Sequence, residues 1–165
     1  MNLIKTAMKY LFILFATLLL NISPASAQSD KEDVEILQAT YGKEKKELVR
    51  QYLKAPKDSV AFWKEYDEYE IKRKAIGRER LELLRQYVES YETMTGPVAS
   101  KIVTKTIEND KKYSELYHQY YSRFSKIIGS VEAARLFQLE YYLQTMIRET
   151  IQENLPGIKE LDKNE

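Results

Sequence analysis

From Gln28 onward, apolar residues recur at intervals of three and four, the period of one helix face. Prolines at 56, 97 and 156 punctuate the pattern where helices stop or start. The spacing predicts four helices. Helix 1 covers about Asp30–Lys54, with Val34, Leu37, Tyr41, Leu48 and Tyr52 on one face. The string KAPKDS breaks it, and Asp58 is placed to cap helix 2, which runs to about Thr95. TGPV turns the chain into helix 3, about Val98–Ile128. Gly129 ends that helix, Ser130 caps helix 4 over about Val131–Asn154, and LPG stops it. Residues 159–165 form a charged tail. The expected fold is all-α: an elongated antiparallel four-helix arrangement with long helical hairpins.

Helix 2 would be about 57 Å long, at 1.5 Å per residue. Its seam reads as heptads, with Phe62, Tyr69, Ile76 and Leu83 at one position. Tyr66, Arg73, Arg80, Tyr87 and Met94 take the other. The stretch FWKEYDEYE (62–70) therefore shows inside and outside at once. Phe62, Tyr66 and Tyr69 face partner helices, Glu65, Asp67, Glu68 and Glu70 lie on the flanks, and Trp63 widens the seam. There is an internal echo: GKEKKELVRQYL (42–53) and GRERLELLRQYV (77–88) agree at seven of twelve positions. Helix duplication and chance similarity both produce such a pair.

The N-terminus changes the boundaries. Lys5 and Lys9 precede an apolar run, LFILFATLLL (11–20), and Ala25 and Ala27 stand at A-x-A positions. This is the pattern of a secretory signal peptide, residues 1–27, cut before Gln28. Ten apolar residues are too few for a membrane span, and no stable span remains once the leader is removed. The helical domain is then 28–158 and the location periplasmic or secreted. The protein is not a lipoprotein, since no cysteine follows the run. Loss of Lys5 and Lys9 takes the formal charge from +1 to −1. A near-neutral exported chain has no electrostatic reason to bind nucleic acid. With no Cys anywhere, packing alone holds the fold, and thiol chemistry is excluded.

Candidate chemistry is sparse. The single His lies in ELYHQYY, where Glu115 and His118 are three apart and can face one metal. A di-iron bundle needs that pair twice, so only a looser site with a carboxylate from another helix is conceivable. There is no G-x-S-x-G string, and five glycines leave no phosphate loop. The expectation is no enzyme, no cofactor and no metal.

Polar residues within the seams say more. Arg73 and Arg80 interrupt helix 2, Asp110 interrupts helix 3, and Arg135, Gln138 and Glu140 lie along helix 4. With antiparallel neighbours, Tyr41, Arg73, Tyr120 and Glu140 fall at one level, and Arg80 falls within a turn of Asp110. Buried charge needs a partner, so Arg73–Glu140 and Arg80–Asp110 contacts are expected, as a register key or as a recognition layer. Of 13 tyrosines only Tyr10 is in the leader. Adjacent pairs such as Tyr120-Tyr121 and Tyr141-Tyr142 point about 100° apart, so one ring of each reaches the surface. Trp63, Tyr121 and Tyr142 are the candidate partner surface.

Two stretches, AFWKEYDEYEIKRKAIGRERLELLRQYVESY (61–91) and AARLFQLEYYLQTMIRETIQENLPGI (133–158), carry a resemblance. They resemble an uncharacterised family of bacterial exported all-helical proteins. Its F-W-x-x-Y-x-x-Y opening is matched by Phe62, Trp63, Tyr66 and Tyr69. Its R-x-x-L-x-x-x-Y continuation is matched by Arg80, Leu83 and Tyr87, and its A-R-F-x-Q-x-E helix by Ala134, Arg135, Gln138 and Glu140. Leu136 stands where that motif has Phe, and Leu155-Pro156 replaces an Ile-Pro ending. In architecture the chain is also similar to the Spy and CpxP class of periplasmic helical stress proteins, without that class's L-T-x-x-Q string. The resemblances imply a helical fold. The functional expectation is non-catalytic periplasmic binding, chaperone-like or as an envelope-stress adaptor, with a protein partner or unfolded clients. The alternatives are a metal- or small-ligand-binding sensor through Glu115 and His118, and a structural envelope spacer. Pairing of two copies through helix 2 is a further expectation.

Overall fold

The structure, a computed structural model, describes residues 44–53 and 59–158. The described regular structure is helical throughout, and no strand occurs among the described residues, so the all-α expectation holds. Residues 44–52 form α1, Val60–Ser90 α2, Gly96–Ile128 α3 and Ser130–Gln152 α4. The chain divides into two compact units. One is Val49–Glu140. The other takes the chain up to Leu48 and from Tyr141 on, and of it residues 44–48 and 141–158 are described.

Three helix ends differ from expectation or sharpen it. The Ser59 hydroxyl accepts the Phe62 amide at 3.2 Å, which makes Ser59 the N-cap of α2. Asp58, the expected cap, lies outside the described residues. α2 stops at Ser90 and continues as a 3-10 turn, Tyr91–Thr93, so the helix has 31 residues and not the length expected to Thr95. The Ser90 hydroxyl donates to the Gln86 carbonyl at 2.7 Å, drawing the last turn toward itself. α3 begins two residues earlier than expected, with Thr95 as N-cap and Pro97 in its first turn, where a missing N–H is harmless.

Within the Val49–Glu140 unit, α2 buries Phe62, Tyr66, Tyr69, Glu70 and Arg73, spaced by four, three, one and three. α3 answers with Ile102, Asn109, Tyr113, Leu116, Tyr117, Tyr120, Phe124 and Ile128. These are one face of each helix. Ion pairs join the two helices: Arg123 with Glu65 at 2.8 Å, Lys112 with Glu79 at 2.5 Å, and Arg80 with Asp110 at 3.3 Å. Numbers rise along α2 as they fall along α3, so these two helices run in opposite directions. At Gly77 a Cβ would stand 3.3 Å from the Tyr113 hydroxyl, so the two helices come close there. There the Asn109 amide donates to the Ile76 carbonyl at 3.0 Å. Phe62, Tyr66, Tyr69, Tyr120 and Phe124 are all essentially closed to solvent. At about 1.5–3 kcal/mol per large apolar side chain, this cluster is the main stabilising contribution of the unit.

In the other unit, Lys45, Leu143 and Ile151 are buried. The end of α4 is closed locally: Asn154 donates its side-chain amide to the Thr150 carbonyl at 2.8 Å, and Gly157 turns with φ 82°.

Candidate functional site

The most chemically distinctive place in the described chain is where the first turns of α4 meet α2 and α3. Phe124 and Phe137 stack edge and face with Tyr69, Tyr117, Tyr120 and Tyr121 at centroid separations of 5.6–6.3 Å. Phe62 and Tyr66 close the α2 side, 5.5 and 6.4 Å from Phe124. Into this aromatic cradle α4 inserts Phe137 and, one turn later, Glu140.

Glu140 is 2% exposed. A carboxylate at that depth is costly without donors. Here the donors are phenols: Tyr69 gives its hydroxyl to Glu140 Oε2 at 2.8 Å and Tyr66 gives its own to Oε1 at 3.4 Å. The Tyr69 hydroxyl is held far above the ordinary tyrosine range, first by burial and then by the negative charge of Glu140. It is a neutral donor at any physiological pH, suited to hold a carboxylate and unsuited to act as a base.

Arg73 was expected to meet Glu140. Its bidentate partner is instead Glu70, one turn back on the same helix, at 2.7 and 3.0 Å. Proximity along the helix decides this. A pair three residues apart forms as soon as the helix does, whereas the Glu140 contact needs two helices to dock first. Arg73, Glu70 and Glu140 all act electrostatically on Tyr69. The Arg80–Asp110 contact is present, and Arg80 also reaches the Thr106 carbonyl at 3.4 Å.

The other expected residues scatter. Arg135 pairs with Glu132 on its own helix, and Gln138 is exposed. Tyr120 is buried with its hydroxyl lacking a hydrogen-bond partner among the described residues, while Lys72 and Arg123 stand 5.2 and 5.0 Å from its ring centre. Tyr41 lies outside the described residues. Of the surface candidates, Trp63 is half-buried with the Arg50 guanidinium 4.5 Å over its ring. Tyr121 and Tyr142 are exposed, at 41% and 48%. Tyr121 also packs edge-on against Phe137. Glu115 and His118 are both exposed, and among the described residues no group of three His, Asp or Glu is placed to hold a metal.

Sequence reasoning missed Glu70, Asn109, Phe137 and Lys45 as interior residues. Phe137 was signalled by its neighbour Leu136, since both are apolar and both are buried. Glu70 follows Tyr69 directly and shares its side of the helix, a signal that its charge hid.

Among the described residues no helix is long and apolar enough to cross a membrane. No protein-family model, curated protein or solved structure matches the chain.

Proposed function

We propose that this chain is a non-catalytic helical binding protein of the bacterial envelope, acting as a chaperone-like factor or adaptor after export. The observation that carries the reading is the contrast between the two halves of the α2–α3 pair. α2 buries nothing beyond Arg73. Its distal apolar residues, Leu81, Leu83, Leu84, Tyr87 and Val88, are all half-buried, as is Tyr91 just beyond its end. On α3, Val98, Val103 and Ile107 are exposed, the last two at 57% and 51%. Two helices cannot hide both of their apolar faces from water, and a surface of this kind suits adaptable contact with apolar segments of other chains.

The mechanism would be shielding: an unfolded or partly folded chain lays apolar side chains on Leu84, Val88, Val103 and Ile107, and neighbouring charges keep the complex soluble. No nucleotide and no turnover are needed. The test is direct. A photo-crosslinking residue at Ile107 in cells, with Glu115 as a control site, should capture envelope proteins at 107 alone. The purified mature chain should suppress aggregation of a heat-unfolded test enzyme at stoichiometric ratio. Absence of both effects would sink the reading. Capture of one defined partner without anti-aggregation activity would select the adaptor form.

A further inference from the structure

Charge is sorted along α2 and α3. Residues 60–70 hold four acids and one lysine, whereas residues 71–112 hold ten Lys or Arg and six Asp or Glu. Five of those six acids are matched locally: Glu79 by Lys112, Glu82 and Glu89 by Arg85, Glu108 by Lys105, and Asp110 by Arg80. Arg73 is taken by Glu70, and Lys72 stands over the Tyr120 ring. Among the described residues this leaves Lys74, Arg78, Lys101 and Lys111 outside every ion pair. Lys74 is half-buried and the other three are exposed.

Three of these four cations adjoin the distal apolar surface. On α3, Val103, Ile107 and Lys111 recur by four, in one line. On α2, Lys74, Arg78, Leu81 and Val88 recur by four, three and seven, on one face. The Glu79–Lys112 bridge marks one side of the helix pair. At about 100° per residue, Leu81 and Lys74 are turned some 140–160° from Glu79, and Val103 and Ile107 some 140–180° from Lys112. Both apolar faces therefore lie on the side away from the bridge. The Glu79–Lys112 and Asn109–Ile76 contacts set the register. Lys111 falls at about the level of Arg78, Ile107 at that of Leu81, and Val103 at that of Leu84. Cations thus stand at the inner end of an apolar surface that continues outward along the pair.

Taking the distal half as the binding surface, as proposed above, we propose that its ligands are apolar polypeptide segments with acidic residues at one end. The apolar side chains lie on Leu81, Leu84, Val103 and Ile107, and the Asp or Glu meets Lys74, Arg78 and Lys111. From Val103 to Lys111 is about 12 Å along the helix. An extended chain covers that in about four residues, so an acid about four positions from an apolar anchor fits best. A basic segment in the same place meets three like charges, which selects against it. The matched acids of the two helices do not oppose the contact, because each already has a cation. The surface is open, with Val103 57% and Ile107 51% exposed. That suits a polypeptide laid across it better than a small amphiphile, which needs a concave site enclosing most of its surface.

Fluorescence anisotropy on the mature chain tests the proposal with three labelled peptides. They share one run of four apolar residues and end in two Glu, two Ser or two Lys. At about 0.02 M salt the Glu peptide should bind about tenfold tighter than the Lys peptide, and at about 0.5 M salt the two should converge, because exposed charges are screened. Arg78→Glu combined with Lys111→Glu should abolish or reverse that order. Lys101→Glu should leave it unchanged, because Lys101 is two residues from Val103 and so on the other flank of α3. Equal affinities for the three peptides at low salt would overturn the proposal and leave the binding surface standing. Retention of the Glu preference in the double variant would overturn it too, since the acid would be read elsewhere. If no peptide binds while phosphatidylglycerol vesicles do, the occupant is a lipid surface and the proposal falls. If no peptide binds and the chain also fails to suppress aggregation, the binding function falls with it.

Discussion

Glu140 is a buried acid that, among the described residues, accepts from two phenols, and that choice fixes how the interior responds to pH. Free tyrosine ionises near pH ~10. The folded value for Tyr69 lies well above that, through burial first and the charge of Glu140 second. An unfolded chain at high pH releases a proton that the folded chain retains. The stabilisation is therefore complete below about pH 10 and is lost as pH rises from there toward the folded value. Tyr69→Phe removes both the titrating group and the shorter of the two hydrogen bonds to Glu140. It should cost about 1–3 kcal/mol near neutral pH, because Glu140 stays buried with a donor missing. Its stability should then decline less than that of the unaltered chain between about pH 9 and about pH 11. Urea titrations across that range check both statements, and an equal decline in the two proteins would refute the second. The sequence located this layer but not its wiring. Seam positions identified Arg73 and Glu140 as interior polar residues. They did not reveal that Glu70, assigned to the flank, would reach Arg73 first.

At the scale of elements, helix existence was legible and helix ends were not. The three-four period placed helices 2, 3 and 4, because burial of one face forces that period whatever the neighbours are; of helix 1 only residues 44–52 are described, and the rest lies outside the described residues. The ends depend on single side chains. KAPKDS offers two capping residues in succession, and the structure describes Ser59, not Asp58, beside the Phe62 amide. Ser59→Ala should cost about 1 kcal/mol and lower the midpoint of thermal unfolding by a few degrees, since one amide of the first turn loses its acceptor. An unchanged midpoint would show that the cap is replaced by water without loss. Gly129 was readable as a stop because glycine followed by serine after an apolar run has few other meanings. Gly77 was not readable as a contact point. In sequence it is a weak spot inside a helix; in space a Cβ there would stand 3.3 Å from the Tyr113 hydroxyl, with Asn109 anchoring the Ile76 carbonyl one residue away. The internal echo shows the same limit. Val49 in the first copy is fully buried, while its counterpart Leu84 is half-buried. Similar strings took different environments, because burial depends on what the rest of the chain brings to each.

At the scale of the molecule, the described α2–α3 pair is well packed at one end and open at the other, and the two properties separate by substitution. Val103 and Ile107 touch water over half their surface, so little folding free energy resides in them. Val103→Glu and Ile107→Glu together should change stability by no more than about 0.5 kcal/mol each, within the range of ordinary surface substitutions. The same pair places two carboxylates where an apolar client segment would lie, and the desolvation penalty opposes that contact. Anti-aggregation activity and crosslinking at the distal half should therefore be lost while the unfolding midpoint stays within a degree or two. A different result would carry its own meaning. If the double variant unfolds readily, the distal faces are packed against something in the folded protein, and the surface assigned to binding is part of its core. If it keeps both its stability and its anti-aggregation activity, binding is located elsewhere, and Tyr121 and Tyr142, exposed aromatics outside the distal half, become the residues to substitute next.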